Sequence, residues 1–328
     1  MVNPLTDHPS DFKPFVSIVV PVYDGQDTIQ ACIESLLNQD YDPGQLEIIV
    51  VDNNSTDQTC EIVQKYPVKI LHETIQSSYA ARNRGAFESK GEIIAFTDSD
   101  CVPASNWIKT LISPFQSDPS IGGVGGRVLS TEPQSDVEEF LSSIDLFGFY
   151  STDSTFLPTL LTNNCAYQRM VFLKENGFNS NLFTAGDVDL SWRIQLNQGS
   201  QVAYNLEAYV YHKQRSTVKS MARLFRRYGY SEIILDTIYK NHQGYKRTPS
   251  RQIAQMGRQV WAIIIYIRSI IYRGLSWKMK KKSRQYAIKP LFLLIRESSV
   301  LWGKLLAIWT TRFFIVNPTS RRMNILNG

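Results

Sequence analysis

From residue 15 to residue 211 one pattern repeats: a short, nearly continuous apolar run rich in Val and Ile, then a stretch whose apolar residues recur at helical spacing. Phe15–Val20 (FVSIVV), Leu46–Val51 (LEIIVV), Val68–Leu71 and Glu92–Thr97 (EIIAFT) read as strands buried on both faces, as in a parallel sheet. Between them, Asp27–Gln39 carries Ile29, Cys32, Ile33, Leu36 and Leu37 at helical spacing. Asp57–Tyr66 reads as a short helix capped by Ser55, Thr56 or Asp57, and Ser77–Lys90 as a helix closed by Gly91. Strands joined by helical crossovers predict an α/β fold with an open, mostly parallel sheet flanked by helices.

From about Gly122 the pattern loosens. Gly122–Leu129, Asn163–Tyr167 and Gln201–Tyr211 read as strands, Ser135–Tyr150 as a mobile or helical insertion, and Asp187–Asn197 as a helix. Beyond His212 the chain reads as almost entirely helical. The expected organisation is an N-terminal tail (1–14), a catalytic α/β domain (15–215) and a basic helical module (216–328).

Charge divides along the same line. Met1 to His212 holds 11 Lys and Arg against 27 Asp and Glu, a net of −16, while Lys213 to Gly328 holds 24 against 3, a net of +21. An acidic part joined to a basic one suits a protein lying against an anionic surface. Cys32, Cys60, Cys101 and Cys165 form no C-x-x-C pair, so they read as free thiols of a reducing compartment. The polar N-terminus (MVNPLTDHPSDFKP) has no signal-peptide pattern, which places the catalytic part in the cytosol.

Ligands of open α/β sheets bind at the carboxyl ends of the strands. Three acidic clusters fall at such places. Asp52-Asn53-Asn54-Ser55-Thr56-Asp57 follows the second strand and reads either as a capped turn or as a carboxylate for a nucleobase or ribose. Thr97-Asp98-Ser99-Asp100 follows the fourth. Spaced i, i+2 in an extended segment, its two carboxylates point to one side, where a divalent cation bridging a diphosphate offsets their charge. Gly186-Asp187-Val188-Asp189 opens a helix, and each Asp reads as a cap or as a general base. Arg82 and Asn83 lie on a helix near the sheet, where a guanidinium suits phosphate or is simply a surface charge. His212 ends an apolar strand, as a ligand for metal or phosphate or as a structural histidine.

In this order the segments VSIVVPVYDGQDTIQACIESLLNQDY, EIIVVDNNSTDQT, SYAARNRGAFESKGEIIAFTDSDC and NNCAYQRMVFLKENGFNSNLFTAGDVDLSWRI resemble the family 2 inverting glycosyltransferases, over roughly residues 15 to 230. The resemblance implies a GT-A nucleotide-binding fold and a set of roles. Pro21 and Tyr23 lie in the loop after the first strand and pack against the nucleotide; Asp52 contacts the base and Arg82 borders the nucleotide. Asp98 and Asp100 match the D-x-D pair, Asp98 nearer the ribose and Asp100 the firmer ligand of Mn²⁺ or Mg²⁺. Asp187 matches the base that deprotonates the acceptor hydroxyl, while Arg193 and His212 hold the diphosphate or the metal. Two positions depart from the pattern: Asn53 stands where a second acid is common, and Gly186 where a glutamate usually precedes the base.

The implied reaction is in-line displacement of a nucleotide diphosphate, a UDP-sugar in the first place, by a hydroxyl of a sugar or lipid-linked acceptor, as in cell-envelope or exocellular polysaccharide assembly. A segment around Phe147 to Pro158 is expected to close over the donor. In the basic module, Trp261–Ile271 and Leu291–Val316 are apolar but broken by Arg268, Arg296, Glu297, Lys304 and Arg312, and Lys278, Lys280, Lys281, Lys282 and Arg284 lie between them. Such segments suit the cytoplasmic face of a membrane better than its interior. The alternative is a subdomain packed on the core of a cytoplasmic protein. The single glycine of VPVYDGQDT excludes a dinucleotide-binding dehydrogenase and a glycine-rich nucleotidyltransferase loop. Acidic clusters at the strand ends argue against nucleic acid as partner. A non-catalytic sugar-nucleotide binder is the alternative function.

Overall fold

The computed structural model of the protein describes residues 13–144, 156–246, 248–278 and 284–313. The first half alternates as the sequence predicts. Strand β1 (Val16–Val22) leads to α1 (Ile29–Leu37), β2 (Leu46–Asp52) to α2 (Thr59–Val63), and β3 (Lys69–His72) to α3 (Ser78–Phe87). Then come β4 (Ile93–Thr97), β5 (Cys101–Pro103), α4 (Trp107–Ser117), β6 (Ile121–Ser130) and α5 (Asp136–Ser143). The chain continues through β7 (Asn164–Gln168), α6 (Arg169–Lys174), α7 (Gly186–Gln198) and β8 (Gln201–His212), and ends in α8 (Val218–Tyr239), α9 (Pro249–Lys278) and α10 (Arg284–Phe313).

The strands form one sheet in the order β3-β2-β1-β4-β7-β6-β8-β5. The pairs from β3 to β4 are parallel; β4–β7 and β7–β6 are antiparallel. Every residue of β1 and β4 is buried, which is why these strands show no polar alternation. Pro21 belongs to β1, opposite Val51, not to the loop beyond it as expected. The pairing of β1 with β4 runs only from Val16 to Val19, so the missing N–H of Pro21 interrupts no ladder on that side.

Two compact units emerge. The first comprises residues 1–128, 159–178 and 190–211; the second comprises 129–158, 179–189 and 212–328. The sequence suggested a single boundary near residue 215, whereas the second unit also takes two earlier segments.

The core of the first unit gathers β1, β2 and β4 against Phe172, Phe178, Leu190 and Ile194. Phe96 of β4 meets Phe172 and Phe178 at ring-centroid distances of 5.5 and 5.3 Å. These contacts fix the strand immediately before the Asp98–Asp100 turn. Asn83 locks the same region, its Nδ2 donating to Phe178 O at 2.7 Å and its Oδ1 accepting the Phe178 N–H at 2.9 Å.

In the second unit, Ser135 caps α5 and Thr217 caps α8. Val137, Phe140 and Leu141 of α5 pack with Met221, Leu224 and Phe225 of α8 and with Phe292 and Val300 of α10. Helices α8 and α10 cross at two glycines: a methyl on Gly229 would lie 1.9 Å from Val300 O, and one on Gly303 2.0 Å from Arg226 O. The C-terminal helices are therefore part of this unit's own core. Helix α9 turns its polar side inward. Gln252 Nε2 donates to Asp236, Gln255 Nε2 to Glu232 at 3.4 Å, and Gln259 is buried. Its Ile253, Val260, Trp261, Ile264, Ile267 and Ile271 are 45% to 71% exposed. No helix among the described residues is long and apolar enough to cross a membrane. Residues 147–155 of the Phe147–Pro158 segment expected to close over the donor, and the lysines at 280–282, lie outside the described residues.

Candidate active site

In the first unit the parallel strands deliver the candidate residues at their carboxyl ends. Asp52 closes β2 and is 6% exposed. One carboxylate oxygen accepts the Ser55 N–H at 3.2 Å, and the other lies 3.4 Å from Nδ1 of His72, at the end of β3. Asn53 straps down the next loop. Its Nδ2 donates to Glu73 O and Ile75 O at 2.8 and 2.7 Å, and its Oδ1 accepts the Ser77 N–H at 2.9 Å. A carboxylate cannot donate to two carbonyls, so this departure from the pattern has a structural reason.

The loop after β1 is laced to the loop after β2. Asp24 N–H donates to Ser55 Oγ at 3.0 Å, Asp24 Oδ1 accepts the Thr56 N–H at 2.8 Å, and the Gly25 N–H reaches Thr59 Oγ1 at 2.8 Å. Asp24 and Asn54 hold left-handed backbone, φ 48° and 67°, at the tips of these loops. Such strain gathers at binding sites. Tyr23 is 53% exposed on this rim, and a hydrogen bond to Asp24 and its charge push the phenol up.

Asp98 and Asp100 lie at a turn, not in the extended segment expected. Strand β4 stops at Thr97, and the Cys101 N–H donates to Asp98 O at 3.0 Å before β5 begins. The apolar strand ends there, and the turn lifts both carboxylates into partial exposure. Arg82, 4% exposed on α3, makes a close ion pair with Asp98 through Nη2, and its Nη1 donates to Ser78 O at 3.3 Å. It is therefore not a surface arginine. Burial pushes the Cys32 and Cys101 thiols well up, and Asp100 and Asp98 push them further. The turn is thus a locally negative place, which fits a divalent cation in chemistry and in donor type.

Arg193 is placed elsewhere. Its Nη1 donates to Glu175 O at 2.9 Å and its Nη2 to Gly177 O at 2.8 Å, fastening a turn with left-handed Asn176 and Gly177.

In the second unit, Asp187 and Asp189 both stand in the first turn of α7, but their surroundings differ. Asp189 is 3% exposed and accepts the Tyr239 hydroxyl at 2.8 Å. Asp187 is half-buried and its carboxylate accepts the Val188 N–H at 3.0 Å. Burial, with Asp187 adding and Arg215 opposing, pushes the Tyr228 phenol up to about 12. Ala185, φ 61°, sets the entry to this helix in left-handed backbone. His212 ends β8, is 4% exposed, and accepts the Thr131 N–H on its carbonyl at 3.2 Å. Sequence reasoning missed Tyr239 and the left-handed Ala185; a tyrosine fifty residues away carries no local signal of its partner.

Comparison with known proteins gives a consistent picture. The family model described as "Glycosyl transferase family 2" matches residues 17–174. Glycosyltransferase AglE of Haloferax volcanii is 38% identical over 126 residues, 37% of this chain and 41% of that protein. A glucosyl-dolichyl phosphate glucuronosyltransferase of the same organism is 30% identical over 247 residues, 68% of this chain and 78% of that protein. Among solved structures, the mannosyltransferase PcManGT from Pyrobaculum calidifontis, in complex with GDP-Man and Mn²⁺, superposes with a TM-score of 0.61 at 16% identity, covering 92% of this chain and 89% of that one. The fold expected from the sequence, GT-A, is the fold observed.

Proposed function

This chain belongs to glycosyl transferase family 2, and from that premise we propose that it moves a sugar, with inversion, from a nucleotide diphosphate donor to a hydroxyl acceptor. The observation that carries the reading is the Asp98–Asp100 turn, where two carboxylates at the end of a buried apolar strand create a negative site with Arg82 behind it. A bound Mn²⁺ or Mg²⁺ would be held there, by Asp100 foremost, and would neutralise charge growing on the leaving diphosphate. Asp52 accepts hydrogen bonds from the base, the Pro21–Tyr23 segment packs along it, and Asp98 faces the ribose. Asp187 takes the proton of the acceptor hydroxyl as it attacks the anomeric carbon. Asp189, held by Tyr239, orients that helix. His212 serves as a further ligand or diphosphate contact, supported by its burial at a strand end. Arg193 acts through the turn that it fastens.

The donor is a UDP-sugar in the first place, with GDP- and dTDP-sugars as the other classes. The acceptor is a sugar or a lipid-linked glycan. Relatives named for poly(ribitol-phosphate) and glucosyl-dolichyl phosphate support that class. The exposed apolar face of α9 supports peripheral attachment to an anionic membrane surface on its cytoplasmic side.

A thermal-shift screen of UDP-, GDP- and dTDP-sugars with Mn²⁺, followed by transfer assays, tests this reading. One donor class should stabilise the protein with cation and not in excess chelator, and be consumed. Stabilisation that needs no cation contradicts the site. A donor that binds but is never consumed points to a non-catalytic sugar-nucleotide binder.

A further inference from the structure

The second unit carries a basic groove outside the strand-end site. It has a volume of about 300 Å³ and runs between α8 and α10 beside their glycine crossing. Lys219, Arg223 and Arg226 line one wall. They recur at i, i+4 and i+7, so one face of α8 presents all three. Ser298, Ser299 and Trp302 of α10 line the other wall. Arg227, next in sequence, turns away to stack its guanidinium 4.6 Å from the Phe183 ring. The groove therefore gathers three cations where helix packing alone asks for none. Burial and the neighbouring Arg223 both act against the charge on Arg226, a cost that a bound anion offsets.

The chemistry beside the groove narrows the ligand. Trp302, Leu305 and Trp309 follow one another at i, i+3 and i+7 on α10, and are 57%, 45% and 46% exposed. An anion pocket opening onto an exposed apolar stripe of the same helix suits an amphiphile with a phosphate head and an apolar chain. Serine hydroxyls add donors for phosphate oxygens, and tryptophan favours the boundary between polar head and apolar chain. Free phosphate needs no such stripe.

We propose that the α8–α10 groove binds the phosphate headgroup of a membrane lipid, with Lys219, Arg223 and Arg226 on the phosphate and Trp302, Leu305 and Trp309 against the chain below it. This rests on the membrane-surface reading and adds a defined, phosphate-selective site to it. The site makes the protein prefer membranes rich in lipids whose headgroup is an anionic phosphate monoester, independently of catalysis.

The test uses full-length protein and sedimentation with vesicles of phosphatidylcholine alone or with added phosphatidic acid. Wild type should favour the phosphatidic acid vesicles. Lys219→Ala/Arg223→Ala should lower that binding about thirty-fold, from about 1 kcal/mol per basic residue near an anionic surface. Lys65→Ala/Lys90→Ala removes the same charge from exposed positions of the first unit and should have a much smaller effect. Lys219→Arg/Arg223→Lys should restore binding, which separates lost charge from lost folding. Equal losses in the two alanine doubles would overturn the groove while leaving general membrane attachment standing. Failure of wild type to bind any vesicle would overturn the membrane reading and the groove together. Full displacement by millimolar inorganic phosphate would assign the groove to a soluble anion and overturn the lipid.

Discussion

Arg82→Met removes the buried cation that pairs with the negative turn while keeping similar volume. The guanidinium is 4% exposed and pairs closely with Asp98. Removing one partner of a buried pair costs about 3–5 kcal/mol. The Asp98 side chain keeps 29% exposure, so solvent screens part of the loss and about 2 kcal/mol is expected. For a protein of 328 residues that is a fall in Tm of about 3 °C. If the turn is a cation site, Mn²⁺ takes over the work of the lost guanidinium. At about 100 times its Kd a ligand contributes about 2.7 kcal/mol, enough to restore the melting point. The assay is thermal unfolding of wild type and variant, each with Mn²⁺ and with chelator. The variant should gain more from Mn²⁺ than wild type does. An equal loss with and without cation would show that Arg82 supports packing only, and the reasoning would be wrong.

Asp187→Asn should leave donor affinity nearly intact and lower turnover at least ~100-fold, whereas Asp189→Asn, which still accepts the Tyr239 hydroxyl, should lower it far less; steady-state kinetics with donor titration separates the two. Truncation after Thr248 removes Phe292 and Val300 from the cluster with α5 and α8, so the shortened chain should aggregate or melt without cooperativity by calorimetry, in place of a soluble core. The Cys32 and Cys101 thiols have raised values in the fold, so their contribution is fully present below the ordinary thiol range and lost as pH rises above about 9. Cys101→Ala should therefore flatten the alkaline fall in Tm and leave neutral stability dependent only on packing.

The parallel half of the sheet was legible because β1, β2 and β4 are buried on both faces, which forces unbroken apolar runs. The short β5 and helix α4 were not anticipated: three residues give no period, and Pro114 within α4 weakens the helical signal. The Asp98–Asp100 spacing implied the wrong backbone, since i, i+2 spacing does not tell a strand from the turn that ends it. Local sequence also hid that Arg193 fastens residues 175–177 and that Arg82 faces Asp98. Both depend on contacts between segments far apart in the chain. The division into units was hidden for the same reason, because α5 and residues 179–189 join the C-terminal helices through packing that leaves no mark on their own composition.

The most direct test of the central claim is release of nucleoside diphosphate from the donor found by the screen, measured with acceptor for wild type and Asp100→Ala, in Mn²⁺ and in excess chelator. Wild type should release nucleotide and transfer sugar only with cation, and Asp100→Ala should do neither at a measurable rate. Transfer at the wild-type rate by Asp100→Ala, or by wild type in excess chelator, would contradict a metal site at the Asp98–Asp100 turn and the mechanism built on it.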